Sequence, residues 1–123
     1  MIKITLLSGL LIVSTLGFGQ VDFSTIDKNS KTVPDSLTNY KEIADYLTKN
    51  LKTDTEKARA IYFWIAHNIK YDLTQINSDK QYNSAQEIVN EVLNDRKGVC
   101  QHYSELFLVM SKSIGLKSYL ISG

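Results

Sequence analysis

Arg96-Lys97-Gly98-Val99-Cys100-Gln101-His102-Tyr103-Ser104-Glu105-Leu106-Phe107 holds the chain's sole cysteine where a turn gives way to a strongly apolar helix. The first amides of a helix have no internal acceptor, and the peptide dipoles place partial positive charge at that end, so a thiol there ionises more readily than a free one. Arg96 and Lys97 act in the same direction. Two readings follow: a nucleophile, or a small buried hydrophobe of the kind a lone cysteine commonly is. At about 100° per residue, Tyr103, Phe107, Met110 and Ile114 fall within about 80° of Cys100, so the cysteine is expected to begin a buried stripe.

Upstream of this stretch, Asn94 to Gly98 breaks a short helix that carries Ile88, Val89, Val92 and Leu93 and opens with a capping box, Ser84 with Glu87. Tyr71 to Asn83 is polar and reads as a surface loop. Before it, Thr53 with Glu56 caps a long helix expected from about Asp54 to Lys70. Ala58, Ile61, Tyr62, Ile65 and Ile69 share one face while Phe63 and Ala66 lie on the other, so this helix is expected to pack on two sides. Asp35 or Ser36 is expected to cap an earlier helix, in which Leu37, Tyr40, Ile43, Ala44, Leu47 and Leu51 recur at three- and four-residue steps. Downstream, Gly115 is a helix stop, and Leu116 to Ile121 alternates as a strand does.

The amino terminus carries Lys3, an uncharged apolar run from Ile4 to Leu16, and small residues around Gly17 and Gly19. This is the pattern of a secretory signal peptide cleaved beside Gln20, and the run is shorter than the ~20 residues of a membrane span. The expected organisation is a signal peptide over 1–19, a linker over 20–35 and one small domain over 36–123. The protein is expected to be secreted or periplasmic. No cysteine stands at the cleavage site, so lipid anchoring is not expected. Without Lys3 the mature part balances 13 basic against 13 acidic residues, with no block of like charge. Neither nucleic acid nor, after signal cleavage, a membrane is an expected partner. Export also bears on Cys100, because an unpaired thiol in an oxidising compartment is unusual and marks a reactive or intermolecular role.

Cysteine chemistry needs a base, a group to orient it and donors for the oxyanion. The chain has two histidines. His102, two residues after Cys100, points about 160° away on a helix and is excluded as the base. His67 lies at a margin of the long helix and reads as structural or exposed. Zinc requires three or four ligands, and Cys100 with His102 offers two, so neither a metal nor another cofactor is expected.

Ala60-Ile61-Tyr62-Phe63-Trp64-Ile65-Ala66-His67-Asn68-Ile69-Lys70-Tyr71-Asp72, followed by Gly98 to Phe107 and then Gly115 to Gly123, resembles the transglutaminase-like superfamily. The resemblance runs from about residue 36 to the end. It implies an α+β, papain-like core in which a Cys-His-Asp triad is headed by a cysteine on a central helix packed against an antiparallel sheet. Cys100 matches the nucleophile. The family's His and Asp lie on strands after the one expected at 116–121, and no position here matches them. The chain is therefore expected to hold mainly the helical half plus one strand, to be the front part of a longer protein, and to be inactive alone. Trp64, Asn68, Tyr71 and Asp72 match a family signature and are implied to support the fold. Bacterial relatives often carry Gly after the Gln, so His102 is a departure expected to alter the cleft rim.

Together with the signal-peptide pattern, the resemblance implies an exported thiol acyl-transfer enzyme, of peptidase or transglutaminase type, in which Cys100 attacks amides of a protein or peptide substrate. The alternative is a non-catalytic exported binding or assembly module with a buried thiol. Hydrolysis, deamidation and crosslinking stay open, because water and amines compete for one thioester, and oligomeric state is open too.

Overall fold

A computed structural model describes residues 21–122, and the signal peptide expected over 1–19 lies outside them. The elements are α1 (Ser24–Ser30), α2 (Tyr40–Thr48), α3 (Asp54–Asn68), β1 (Lys70–Tyr71), α4 (Ala85–Asp95), β2 (Lys97–Gly98) and α5 (Cys100–Ser113), with a single 3-10 turn over Leu73–Gln75.

The Thr53 and Glu56 pair starts α3 as expected. Thr53 Oγ1 accepts the Glu56 amide at 3.2 Å, while the Glu56 carboxylate accepts the amides of Thr53 and Lys52, each at 3.1 Å. The helix stops at Asn68 rather than Lys70 because Ile69 turns extended, with φ −109° and ψ 124°. Lys70 and Tyr71 then pair with Lys97 and Gly98 in a two-residue parallel ladder. The expectation of packing on more than one side holds: α1, α2 and α5 all lie against α3, which buries Ala60, Ile61, Phe63, Trp64 and Ile65.

Residues 20–35 are not simply a linker, for α1 lies within them. Ile26 enters the core, and Asp27 accepts two hydrogen bonds from Arg59 of α3, at 2.8 Å from Nε and 2.6 Å from Nη2. The Arg59 guanidinium holds the Asp27 carboxyl below its ordinary range. Seven residues are too few for a helix to persist on local propensity, so tertiary contact supplies what periodicity did not reveal. Similarly, α2 begins later than expected. A turn closed by the Leu37 amide on Pro34 O occupies the first cap candidates, and Asn39 Oδ1 caps instead by accepting the Lys41 amide at 2.8 Å.

In α4, Ser84 Oγ accepts the Glu87 amide at 3.2 Å, but the Glu87 carboxylate reaches the Asn83 amide, one residue before the cap. Arg96 ends the helix in the left-handed region at φ 53°. The core between the helices is built from Ile43, Ile61, Val89, Val92, Leu106 and Met110. Gly115, at φ 84°, stops α5 as expected.

The strand expected over 116–121 does not form. A strand requires a neighbour for its amides and carbonyls, and none of the described residues pairs with this segment. The class is α+β, helix-rich with one small sheet.

Candidate active site

The turn that carries Cys100 is anchored from three directions. The ladder joins the end of α3 to the residues before the cysteine: the Lys70 amide donates to Arg96 O and the Asp72 amide to Gly98 O, both at 2.9 Å. After the cysteine, Tyr103 Oη donates to Ile69 O at 2.6 Å. Beneath it, His102 lies against the Gly98 backbone so closely that a Cβ on Gly98 would stand 2.5 Å from His102 Cβ and Cγ. Glycine at 98 is thus required by close approach rather than by conformation.

Val99 is the N-cap of α5, extended at φ −106° and ψ −176°. Its amide donates to His102 Nδ1 at 3.1 Å, so the third residue of the helix holds the cap residue in place. Valine has no oxygen with which to return the bond. Among the described residues the amides of Cys100, Gln101 and His102 find no acceptor, and the first internal bond is Tyr103 N–H to Val99 O at 3.2 Å. Three donors at the positive end of a helix therefore stand open beside the thiol.

Cys100 is exposed, which removes the reading of a buried thiol. The buried stripe of α5 is rotated from the expected one: it runs through His102, Leu106 and Met110, whereas Tyr103, Phe107 and Ile114 are only half-buried. Arg96 and Lys97 do not serve the thiol as expected. The Arg96 guanidinium lies 5.1 Å from the centre of the Trp64 ring, and Lys97 Nζ lies 3.3 Å from Asp72 Oδ2.

Neither histidine bonds the sulfur. His67 is exposed, stacks on Phe63 with ring centres 3.8 Å apart and donates from Nδ1 to Phe63 O at 2.9 Å. His102, 1% exposed, is buried beneath the turn instead of lining a cleft rim, which corrects the expectation from its departure at the Gly position. Its Nε2 stands 2.9 Å from Tyr82 Oη, which donates to Glu91 Oε1 at 3.1 Å, and Lys80 pairs with Glu91. Lys80 holds the Glu91 carboxyl below its ordinary range, while burial and then Glu91 push the Tyr82 phenol up. Sequence reasoning missed this network because its members are separated along the chain and meet only when α4 and α5 pack.

The residues of the 60–72 motif support the turn. Trp64 is buried, and Asn68 Nδ2 donates to Trp64 O at 2.8 Å. Asp72 is buried; its Oδ1 accepts from the Thr74 amide and hydroxyl at 3.0 and 2.6 Å, and Oδ2 has no hydrogen bond, with Lys97 at ion-pair distance only. The Thr74 hydrogen bond, assisted by Lys97, holds this carboxyl below its usual range. Burial, then the neighbouring Tyr71, raises the Tyr103 phenol.

A model of the transglutaminase-like superfamily matches residues 41–123. The chain belongs to that superfamily. The human kyphoscoliosis peptidase is 31% identical over 83 residues, which cover 67% of this chain and 12% of that protein. The mouse kyphoscoliosis peptidase is 28% identical over 82 residues, again 67% of this chain and 12% of that protein. The chain therefore spans a small part of the length of the relatives it matches. No solved structure matches it.

Within the transglutaminase-like core, an open cleft of about 470 Å³ runs from Tyr62 and Ile65 of α3 along Tyr103, Ser104 and Phe107 of α5 to Tyr119. It begins one helical turn beyond Cys100. Tyr62 and Tyr119 leave 58% and 82% of their surfaces exposed, so the walls present apolar faces to solvent. Among the described residues no three His, Cys, Asp or Glu side chains converge as a metal site, and no helix is long and apolar enough to cross a membrane.

Proposed function

We propose that Cys100 is the nucleophile of an exported thiol acyl-transfer enzyme, of peptidase or transglutaminase type, acting on amides of protein or peptide substrates. The observation that carries this reading is the exposed thiol at the first position of α5, on a turn fixed from three sides and beside unclaimed amides. Cys100 Sγ attacks the amide carbonyl carbon, and the backbone N–H of Cys100 donates to the oxyanion that forms. The carbon–nitrogen bond then breaks, the amine leaves with a proton, and a thioester remains on Cys100. Water or a second amine attacks the thioester and frees the thiol. In this proposal the triad His and Asp come from strands that follow the 116–122 segment, as the family pattern implies, and the signal-peptide pattern over 1–19 supports a secreted or periplasmic enzyme.

A second reading, a non-catalytic exported binding or assembly module, is favoured by the lack of any base bonded to the thiol among the described residues. One experiment separates the two. The protein expressed from its whole reading frame is incubated with a glutamine-containing peptide library and a fluorescent amine, and products and trapped thioester are read by mass spectrometry. The enzyme reading expects product from the wild type and none above background from Cys100→Ala, since removing a covalent nucleophile removes the route. Equal product from both proteins, or none from either, overturns it.

A further inference from the structure

His102 is a buried titratable side chain that bonds the residue directly before Cys100, and the chemistry proposed above gives it no part. Both ring nitrogens are engaged. The Val99 amide can only donate, so Nδ1 is the unprotonated nitrogen. Nε2 then carries the proton and donates to Tyr82 Oη at 2.9 Å, leaving the Tyr82 hydroxyl hydrogen for Glu91 Oε1. The Tyr82 and His102 rings meet edge to face with centres 5.6 Å apart, and Lys80 neutralises the Glu91 carboxylate at the far end. The imidazole is therefore fixed in tautomer, in rotation and in place.

We infer that His102 is the positioning residue of the nucleophile: clamped by Tyr82 and Glu91, it holds the Val99 amide so that the Gly98–Val99 peptide, the last before the helix, keeps one orientation and the first amides of α5 stay trained on the thiol and the incipient oxyanion. Three observations point this way. The Val99 amide has no other acceptor among the described residues, so without His102 it would be an unpaired donor at a half-buried position. Gly98 is bare of a side chain where His102 needs the space. The chain Tyr82, Glu91 and Lys80 has no contact with Cys100 and reaches the site only through the His102 ring. Through Tyr82, the loop before α4 and the face of α4 are mechanically joined to the reactive turn.

The inference rests on Cys100 being a nucleophile, and its test separates the two. The whole-frame protein and its variants are alkylated with iodoacetamide at pH 7, with circular dichroism and melting temperature recorded alongside. Wild-type Cys100 reacting no faster than glutathione counts against the nucleophile itself. With a fast wild type, His102→Leu, which keeps bulk and loses both nitrogens, is expected to slow alkylation about tenfold, the equivalent of losing one capping bond. His102→Gln is expected to restore the rate to within about threefold, because a glutamine at the third position accepts the cap amide as in a capping box. Native-like His102→Leu reacting at the wild-type rate, or His102→Gln reacting as slowly as His102→Leu, overturns the inference. If His102→Leu does not fold, Tyr82→Phe decides: it removes the ring's acceptor with little change in volume, so slower alkylation supports the inference and an unchanged rate overturns it.

Discussion

The starts of α3 and α5 are built on the same plan, and what separates them is one hydroxyl at the cap. In both, the third residue of the helix accepts the amide of the N-cap residue: Glu56 that of Thr53, His102 that of Val99, each at 3.1 Å. At α3 the threonine hydroxyl returns the bond to the Glu56 amide, and the box is closed. At α5 the valine cannot, and the amides of the first turn stay open next to a thiol. The lesson is that the lock and the closure are separable. The bond from cap amide to third side chain sets the geometry of the turn, while the reciprocal bond takes up the amide of that third residue. A stable helix wants both; a helix end that must meet a developing negative charge wants only the first.

This contrast can be broken most severely at Gly98, which has no counterpart at α3. Gly98→Ala drives a methyl into the ring that provides the lock, and overpacking of this kind costs about 1–3 kcal/mol. Chemical denaturation should show that loss, and Cys100 alkylation should slow with it. A destabilisation below about 0.5 kcal/mol would mean that the turn yields easily and that the close approach is not what fixes it.

Exchanging the two caps sharpens the comparison. Val99→Thr gives α5 the closure it lacks and is expected to add about 1 kcal/mol of stability while reducing Cys100 reactivity, because the new hydroxyl claims the His102 amide. Thr53→Val opens α3 and is expected to cost about the same, with no effect on the thiol. Urea melts paired with alkylation rates read both effects. If the closed α5 reacts as fast as the open one, the unclaimed donors are irrelevant to the thiol.

The smallest effect separates the two locks by acid. The backbone amides of Thr53 and Lys52 hold the Glu56 carboxyl below its usual range. Its contribution is therefore complete above the ordinary glutamate value of about 4.3 and fades as pH falls through the lower folded value. A Glu56→Gln variant should lose less melting temperature than wild type between pH 5 and pH 3. Parallel melting curves across that range would show that the exposed Glu56 lock carries no measurable stability.

Legibility in the sequence followed how local each cause is. The box at Thr53, the Ser84 cap and the Gly115 stop lie within a few residues of their partners, and all three stand where the sequence placed them. The start of α2 was placed too early because Asp35 and Ser36, the caps the sequence suggested, lie in the Pro34 turn, and Asn39 caps instead. Helix α1 was invisible because Arg59, far along the chain, holds Asp27. The site divided the same way. Cys100 at a helix start was legible from its neighbours, as was the inability of His102 to share a proton with it. The exposure of Cys100 and the burial of His102 were not, since periodicity identifies a stripe without saying which side the neighbouring helices will cover. Arg96 and Lys97 were read for charge alone, but Trp64 and Asp72 take them up.

The two-residue ladder that moors the Cys100 turn has a consequence for the order in which the protein assembles. Lys70 and Lys97 are 27 positions apart, and closing a loop of that length costs about 3 kcal/mol of chain entropy. Two backbone bonds, at about 1 kcal/mol each, do not offset it. The ladder therefore forms only after α3, α4 and α5 have packed, among the last events of folding and the first to be undone by a local opening. A newly made or partly unfolded chain carries Cys100 on a loose segment, and the anchored turn around it exists only in molecules that have finished folding.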